Sequence, residues 1–277
     1  MSQARAPAAR SSALEATGEI AARLTGKRVA VLLDYDGTLT PIVDNPEAAV
    51  LAEEMRTAIH ALTRHAQVGV ISGRDLEDVG RLVGIKSIVY AGSHGFDMRF
   101  PGGRRVEHER GAAFLPALAA AEQELRRRLR DVPGARVERK KFAIAAHYRR
   151  AQERDIPAIE AAVDAVLGQQ AGLRKTAGKK VFELRPAADW HKGSAVLWLL
   201  HTIELDGALP VYIGDDDTDE DVFGLRQPNR LMTVRIGLRE DSAADYFLRD
   251  QSEMDDFLAI LLARARGSMD KDKIRHD

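Results

Sequence analysis

Residues 29–40 read Val-Ala-Val-Leu-Leu-Asp-Tyr-Asp-Gly-Thr-Leu-Thr, and the rest of the chain is organised around this stretch. Val29 to Leu33 form an unbroken apolar run, the pattern of a strand covered on both faces in a parallel sheet. Asp34 and Asp36 follow at once. Two residues apart on an extended backbone, they leave the carboxyl end of the strand on the same side, where open α/β sheets bind ligands. Gly37 then permits a sharp turn. Neighbouring carboxylates raise one another's pKa unless they share a proton or a cation lies between them, and a hard, oxygen-seeking ion such as Mg2+ relieves that repulsion. A bare D-x-D also fits a solvated Asx turn at a strand end, so the remaining chain has to decide.

The sequence has 277 residues, 45% hydrophobic and 30% charged, which suits one large or two modest soluble globular domains. Lys plus Arg, 41, nearly balances Asp plus Glu, 42, so no global field recruits nucleic acid or an anionic membrane. The lack of cysteine excludes disulfides, thiolate catalysis and cysteine-bound zinc, and is compatible with a reducing cytosol. No run approaches the roughly 18 apolar residues of a membrane span. The start, Met-Ser-Gln-Ala-Arg-Ala-Pro, lacks the apolar core of a secretory signal, so a cytoplasmic protein is expected.

Residues 1–26 read as an N-terminal extension, with 1–12 small, polar and expected to be mobile, and Leu14, Ile20 and Leu24 along one side of a short helix. Residues 46–64 carry a helix pattern with Met55, Ile59 and Leu62 inward, leading to a second buried strand, Val68 to Ile71. Together with the first strand they make a β-α-β unit. The second strand ends in Ser72-Gly73-Arg74-Asp75, ahead of a helix pattern through Leu76, Val79 and Leu82. A hydroxyl and free backbone amides at a strand-to-helix turn suit an anion such as phosphate, although an ordinary capped turn has the same look. A third strand, Ser87 to Ala91, is followed by Gly92-Ser93-His94-Gly95, which makes His94 a candidate substrate contact, though a lone loop histidine is more often structural. Phe96 to Phe100 and Arg104 to His108, joined by Pro-Gly-Gly, read as a β-hairpin.

The pattern changes near Gly111. Ala113 to Arg130 is helical, with Phe114, Leu118, Leu125 and Leu129 on one face and the arginines at 126–128 mostly solvated. An alternating stretch from Arg136 to Tyr148, a second helix at about 155–167 and two strand-like pieces around Ala177-Gly178 complete an α+β module. Residues 109–188 are therefore expected to be a domain inserted into a core made of 27–108 and 189–265, with 266–277 as a tail.

Trp190-His191-Lys192-Gly193-Ser194 opens a strongly apolar helix. The macrodipole disfavours a lysine at that end, so Lys192 more plausibly faces an anion than merely solvent. Another buried strand, Val211 to Ile213, ends in Gly-Asp-Asp-Asp-Thr-Asp-Glu-Asp over 214–221. So many acids in one loop need a compensating charge, while Thr218 with Asp221 could also form a capping box for the next helix. An EF-hand is excluded: its sixth position is Glu220 where glycine is required, and its twelfth is Arg226 where a bidentate glutamate belongs.

Strand-end D-x-D-G-T-L-T, a Ser after the next strand, an isolated Lys at a helix start and G-D-D-x-T-D-E after a later strand resemble, in type and order, the motifs of the haloacid-dehalogenase-like phosphohydrolases. The resemblance implies an α/β fold, a Rossmann-like parallel-sheet core of the haloacid-dehalogenase type with an inserted α+β cap domain. It also implies Mg2+-dependent phosphoryl transfer, with Asp34 attacking phosphorus to become an aspartyl phosphate. Asp36 would protonate the leaving group and then deprotonate water. Ser72 and Lys192, with the loop at Gly73 and Arg74, would hold the phosphoryl group. The ion would be held by Asp34, the Asp36 backbone carbonyl and Asp215, with Asp216 and Asp219 close by or at a further metal position.

Substrate choice must come from the insertion, because the core recognises only a phosphate. Glu138 and Lys140 share one strand face, and Lys179 and Glu183 another. Such charges suit a polyhydroxylated ligand, or else cross-strand ion pairs on a wet sheet. The string E-x-K-x(6)-H-Y-R, with Glu138, Lys140, His147 and Arg149, followed by G-K-x-x-x-E-x-R-P, with Lys179 and Glu183, resembles the cap of trehalose-6-phosphate phosphatases. That resemblance spans about residues 29 to 225 and departs at Ser93 and in the tail after Gly267. It implies that Glu138, Lys140, Lys179 and Glu183 contact the sugar, that trehalose 6-phosphate is the substrate in the last step of trehalose biosynthesis, and that activity is coupled to a trehalose-6-phosphate synthase. Within enzymes, sucrose 6-phosphate or mannosylglycerate phosphate hydrolysis and a hexose-phosphate mutase stay open. A catalytically silent phosphatase domain and a non-turnover phospho-acceptor domain of the receiver type also stay open, although a receiver is much shorter and has neither D-x-D-G-T nor a cap.

Overall fold

The computed structural model describes residues 11–43, 46–178, 180–203, 208–225, 227 and 230–274. The chain separates into two compact units: one runs to Ser72 and resumes at Leu76–Arg105 and from His191 onward, the other holds Gly73–Asp75 and Val106–Trp190. In chain order the strands are β1 (Ser11–Ser12), β2 (Arg28–Leu33), β3 (Gln67–Ile71), β4 (Val89–Gly92), β5 (Asp97–Arg99) and β6 (Arg105–Glu107). They continue with β7 (Arg136–Lys140), β8 (Ala143–His147), β9 (Leu173–Gly178), β10 (Val181–Pro186), β11 (Ala208–Gly214), β12 (Met232–Ile236) and β13 (Tyr246–Leu248).

Among the described residues one sheet has the order β1-β13-β12-β11-β2-β3-β4-β5-β6. β2 lies inside it, parallel to β3 on one side and β11 on the other, and this follows from its apolar run. Val29, Val31 and Leu33, on one face, join a core with Met55, Ile59 and Leu62 of the helix Glu53–Leu62 and with Phe257, Leu258 and Leu261 of the helix Met254–Ile274. Each such side chain contributes roughly 1.5–3 kcal/mol by leaving water. No helix among the described residues is long and apolar enough to cross a membrane.

Two local expectations change. The stretch 46–64 is not one helix: a single turn at Pro46–Ala48 precedes extended backbone at Ala52, and Ala49 and Leu51, two residues apart, both turn inward before the helix begins. The end of the N-terminal extension is also ordered, because Ser11–Ser12 pairs parallel with β13 and Ala13 donates its N–H to the Phe247 carbonyl at 2.8 Å. The helix Thr17–Leu24 fixes that edge: the Tyr246 hydroxyl donates to Glu19 at 2.7 Å and Arg23 pairs with Asp245 at 3.1 Å. Residues 1–10, which the mobility expectation also covered, lie outside the described residues.

In the second unit, an antiparallel sheet of order β7-β8-β10-β9 carries the helices Leu115–Leu129 and Ile156–Leu167 on one face. Leu118, Leu125, Ile159 and Val163 pack there against Ile144, Ala146, Phe182 and Leu184. The stretch 136–148 is therefore two strands joined at Lys141-Phe142, and β8 is covered on both faces from Ala143 to Ala146. The unit reaches beyond the 109–188 read from sequence. His108 and Trp190 stack with ring centroids 3.8 Å apart, and Arg110 donates to the Asp189 carbonyl at 3.2 Å, which ties the entering and leaving segments together.

Candidate active site

The carboxyl ends of β2 and β11 and the start of the helix Lys192–Thr202 bring together three buried charged groups, Asp34, Lys192 and Asp219, with the half-buried Asp215 and the buried phenol of Tyr212. Asp34 extends the ladder by one bond, donating its N–H to the Ile213 carbonyl at 2.9 Å, so its side chain leaves the sheet at a fixed angle. Lys192, 2% exposed, donates through Nζ to Asp34 Oδ1 at 2.6 Å and to Asp219 Oδ1 at 2.7 Å. The Tyr212 hydroxyl donates to the same Asp219 oxygen at 2.5 Å. The other, Asp219 Oδ2, accepts the N–H groups of Asp215 and Asp216 at 2.9 and 3.0 Å. With each of its oxygens accepting two hydrogen bonds, Asp219 joins the lysine to the acidic loop and fixes where Asp215 emerges. Thr38 Oγ1 then donates to Asp215 Oδ1 at 3.0 Å. Among the described residues, one oxygen each of Asp34, Asp215 and Asp219 lie within 4.8 Å of one another.

Glycine is required twice for this approach. A Cβ on Gly37, whose φ is +87°, would lie 2.0 Å from Asp215 Oδ2, and one on Gly214 would lie 2.3 Å from Asp219 Cγ. The G-T of the first motif and the G of the last therefore let two carboxylates close on the backbone.

Burial pushes the Asp34 carboxyl well above the usual carboxylate range; Lys192 opposes this, and Asp219, Asp215 and Asp216 add to it. Asp215 is pushed up to about 7 by burial and by Asp219, against the Thr38 hydrogen bond. Asp219 is raised by burial too, with Lys192 pulling the other way. Lys192 itself, which burial alone would lower, is raised by Asp219 and Asp34. One ammonium is thus too little for three convergent carboxylates, and a donor set made only of hard oxygens suits a divalent cation.

The other expected core residues sit as follows. Asp36 is half-buried in the turn closed by the Gly37 N–H to Thr40 carbonyl bond of 2.8 Å, and its carboxylate is outside the convergent trio. Asp216 is also outside it: Oδ1 accepts from the Thr218 N–H and hydroxyl at 2.8 and 2.7 Å, with Lys192 at 3.9 Å. Asp216, not Thr218 with Asp221, therefore supports the start of the helix Glu220–Phe223. Ser72 is buried at the end of β3, but its amide is not free for an anion, since it donates to the Ala91 carbonyl at 2.9 Å. Its own carbonyl accepts the His94 N–H at 2.8 Å. His94 follows Ser93 in left-handed backbone, φ 56° and 50°, and Gly95 continues it at 90°.

In the second unit Gly73 and Arg74 group with the inserted residues. Glu138, Lys140, His147 and Glu183 share the sheet face opposite the helices, where Glu183 is buried. His147 Nε2 lies 2.9 Å from Glu138 Oε2, and Lys140 Nζ donates to Glu183 Oε1 at 2.6 Å. The hydrogen bond with His147 holds Glu138 below the usual range. Glu183, which burial alone would raise, is held at about 2 by Lys140 and Arg185. Arg149 is exposed in the turn after β8, and Lys179 lies outside the described residues.

Residues 32–252, well over half of the chain, match the family model described as trehalose-phosphatase. The chain belongs to the trehalose-phosphatase family. It is 38% identical over 275 residues to probable trehalose-phosphate phosphatase 2 of Oryza sativa subsp. japonica, a match covering 90% of this chain and 72% of that protein. It is 40% identical over 248 residues to a trehalose-phosphate phosphatase of Mycobacterium marinum (strain ATCC BAA-535 / M), over 87% of this chain and 63% of that one. Among solved structures it resembles the C-terminal domain of C. albicans trehalose-6-phosphate phosphatase with a TM-score of 0.74 at 25% identity, over 93% of this chain and 99% of that one.

In this member of the trehalose-phosphatase family, nothing local in the sequence distinguishes Asp219 from its acidic neighbours. The acidic run offers six carboxylates to a sequence reader, and only burial singles out the one that holds Lys192. In the sequence Tyr212 is one residue of a short apolar strand pattern, Val211 to Ile213, with nothing to mark its hydroxyl. Arg235 carries no sequence signal, yet it donates to the Asp216 carbonyl at 3.2 Å and to Glu220 at 2.9 Å and so supports the same loop. Gly37→Ala is expected to leave a folded chain whose phosphate release falls at least about a hundredfold, since displacement of a reacting group by an ångström has that scale of effect. An unchanged rate in that variant would mean that Asp215 can shift without consequence.

Proposed function

We propose that this trehalose-phosphatase-family enzyme hydrolyses trehalose 6-phosphate to trehalose and phosphate, using Asp34 as nucleophile and Mg2+ as the required cation. The observation that carries the proposal is the junction of buried Asp34, Lys192 and Asp219 with half-buried Asp215 at the ends of β2 and β11. Lys192 engages Asp34 Oδ1, which leaves the second oxygen to attack phosphorus. The new bond joins that oxygen to phosphorus as the bond from phosphorus to the sugar oxygen breaks. Asp36 delivers a proton to the departing oxygen, then takes one from the water that attacks the aspartyl phosphate, and Asp34 is regenerated as phosphate leaves. Asp34, Asp215 and the Asp36 carbonyl would hold Mg2+, which supplies positive charge to the phosphoryl oxygens. The Ser72 hydroxyl and Lys192 take a share of the same charge. Glu138, Lys140, Lys179 and Glu183 recognise the sugar, so that binding far from phosphorus selects the substrate. Such an enzyme completes trehalose synthesis and works alongside a trehalose-6-phosphate synthase.

The test is phosphate release from trehalose 6-phosphate, glucose 6-phosphate, sucrose 6-phosphate, mannosylglycerate phosphate and an aryl phosphate, each with and without a chelator. Trehalose 6-phosphate should be turned over fastest, chelation should stop release, and added Mg2+ should restore it. Equal rates across the sugars would overturn the substrate, and full activity in excess chelator would overturn the cation. A phosphorylated protein that accumulates without release would mark a phospho-acceptor domain instead.

A further inference from the structure

Arg185 stands two residues beyond Glu183 on β10, and the ladder places both beside a row of small side chains. Glu183 lies opposite Ala145 of β8, which lies opposite Glu138 of β7. One row on, Lys140 lies opposite Ala143. Because Ala143 and Ala145 rise no further than Cβ, Lys140 crosses over β8 and reaches Glu183 Oε1. Arg185 takes the opposite oxygen: Nε donates to Oε2 at 2.8 Å, and Nη2 donates to it as well. The Glu183 side chain is 10% exposed, against 25% for Lys140 and 22% for Arg185.

These two cations are not equivalent. Lysine is a point charge on a flexible stem, able to straddle both oxygens of a carboxylate, whereas the planar guanidinium is a fork that fixes the orientation of what it holds. On the same strand as its partner, Arg185 has little freedom to lose. We propose that Arg185 is a positioning residue for sugar recognition: by keeping Glu183 Oε2, it prevents Glu183 from collapsing fully onto Lys140 and leaves Oε1 as the oxygen at which a sugar hydroxyl can be exchanged. The inference rests on the sugar-binding role proposed for Glu183. Without Arg185, a sugar has to dismantle a two-oxygen pair before Glu183 can accept its hydroxyl; with it, one contact changes hands.

Arg185→Met and Arg185→Lys test this in the full chain, with kcat and KM measured for trehalose 6-phosphate and for p-nitrophenyl phosphate. The Met variant should lose about tenfold to a hundredfold in kcat/KM on trehalose 6-phosphate, and keep the wild-type value on the aryl ester. Lysine should recover part of the loss, since it restores the charge without the fork. Equal losses on both substrates, no loss on either, or no recovery by lysine would overturn the positioning role. If the Met variant does not fold, Arg185→Gln, which keeps N–H donors, serves the same comparison. Wild-type enzyme that does not prefer trehalose 6-phosphate would refute the proposed function. A wild-type preference combined with equal losses in the variant would refute only the role of Arg185.

Discussion

Asp34→Asn should fold as the wild type does and lose turnover by a factor on the order of 10^4 to 10^6, the scale seen when a covalent nucleophile is removed. The substitution keeps the shape of the side chain, and the amide oxygen can still accept from Lys192 where Oδ1 does now. What disappears is a nucleophilic oxygen lone pair with a negative charge behind it. Stability should hold or rise, because the trio of carboxylates, whose members at 34 and 215 are both pushed up by burial, loses one charge. Thermal melting and a phosphate-release assay check the two halves, and mass spectrometry of quenched reactions should find no phosphorylated protein. Near-normal turnover would rule out a covalent intermediate at this position.

Lys192→Met is expected to have the largest effect on stability. It would leave Asp34 and Asp219 buried with no cationic partner, and breaking a buried pair from one side costs about 3–5 kcal/mol. Lys192 and Asp219 are 2% and 0% exposed, so solvent cannot compensate. A second change, Asp219→Asn, should recover part of the lost stability without recovering activity, because it removes one of the two orphaned charges but not the need for an ammonium beside the phosphoryl group. Denaturant unfolding of the two variants decides the point. A single variant within about 1 kcal/mol of wild type, the usual range for exposed pairs, would mean that these charges are not held together as tightly as their separations imply.

How far the sequence disclosed this architecture depends on how local each determinant was. The apolar run before Asp34 was enough to place β2 inside a parallel sheet, because a strand flanked on both sides has no polar face to show. Lys192 stood out because a cation at a helix start contradicts the macrodipole. The use of Asp219, by contrast, is set by which acid of the loop turns inward, and Gly214 and Tyr212 decide that only once β11 is in the sheet. The Ser72 amide looked available for an anion because its acceptor, Ala91, comes from a different strand. β1 carried no signal either: two serines have no strand pattern, and they pair only because β13 offers them an edge. Arg185 was written into the E-x-R-P string, but its task appears only when Lys140 is seen crossing two alanines to the same carboxylate.

The insertion also sets an order in time. Val29 of β2 pairs with Leu209 of β11, whereas Glu183 of β10 pairs with Thr176 of β9, and Glu138 of β7 with Ala145 of β8. Joining distant segments costs more chain entropy and slows folding, so hairpins close early and the seam between β2 and β11 closes late. A ribosome releasing this chain would present the four-stranded sheet ready to form while β2 still lacked a neighbour on one side, with its apolar edge open to pairing with other chains. Pulsed hydrogen exchange during refolding should accordingly protect amides of β8 and β10 before those of β2 and β11, and the reverse order would mean that the core assembles across the long gap first.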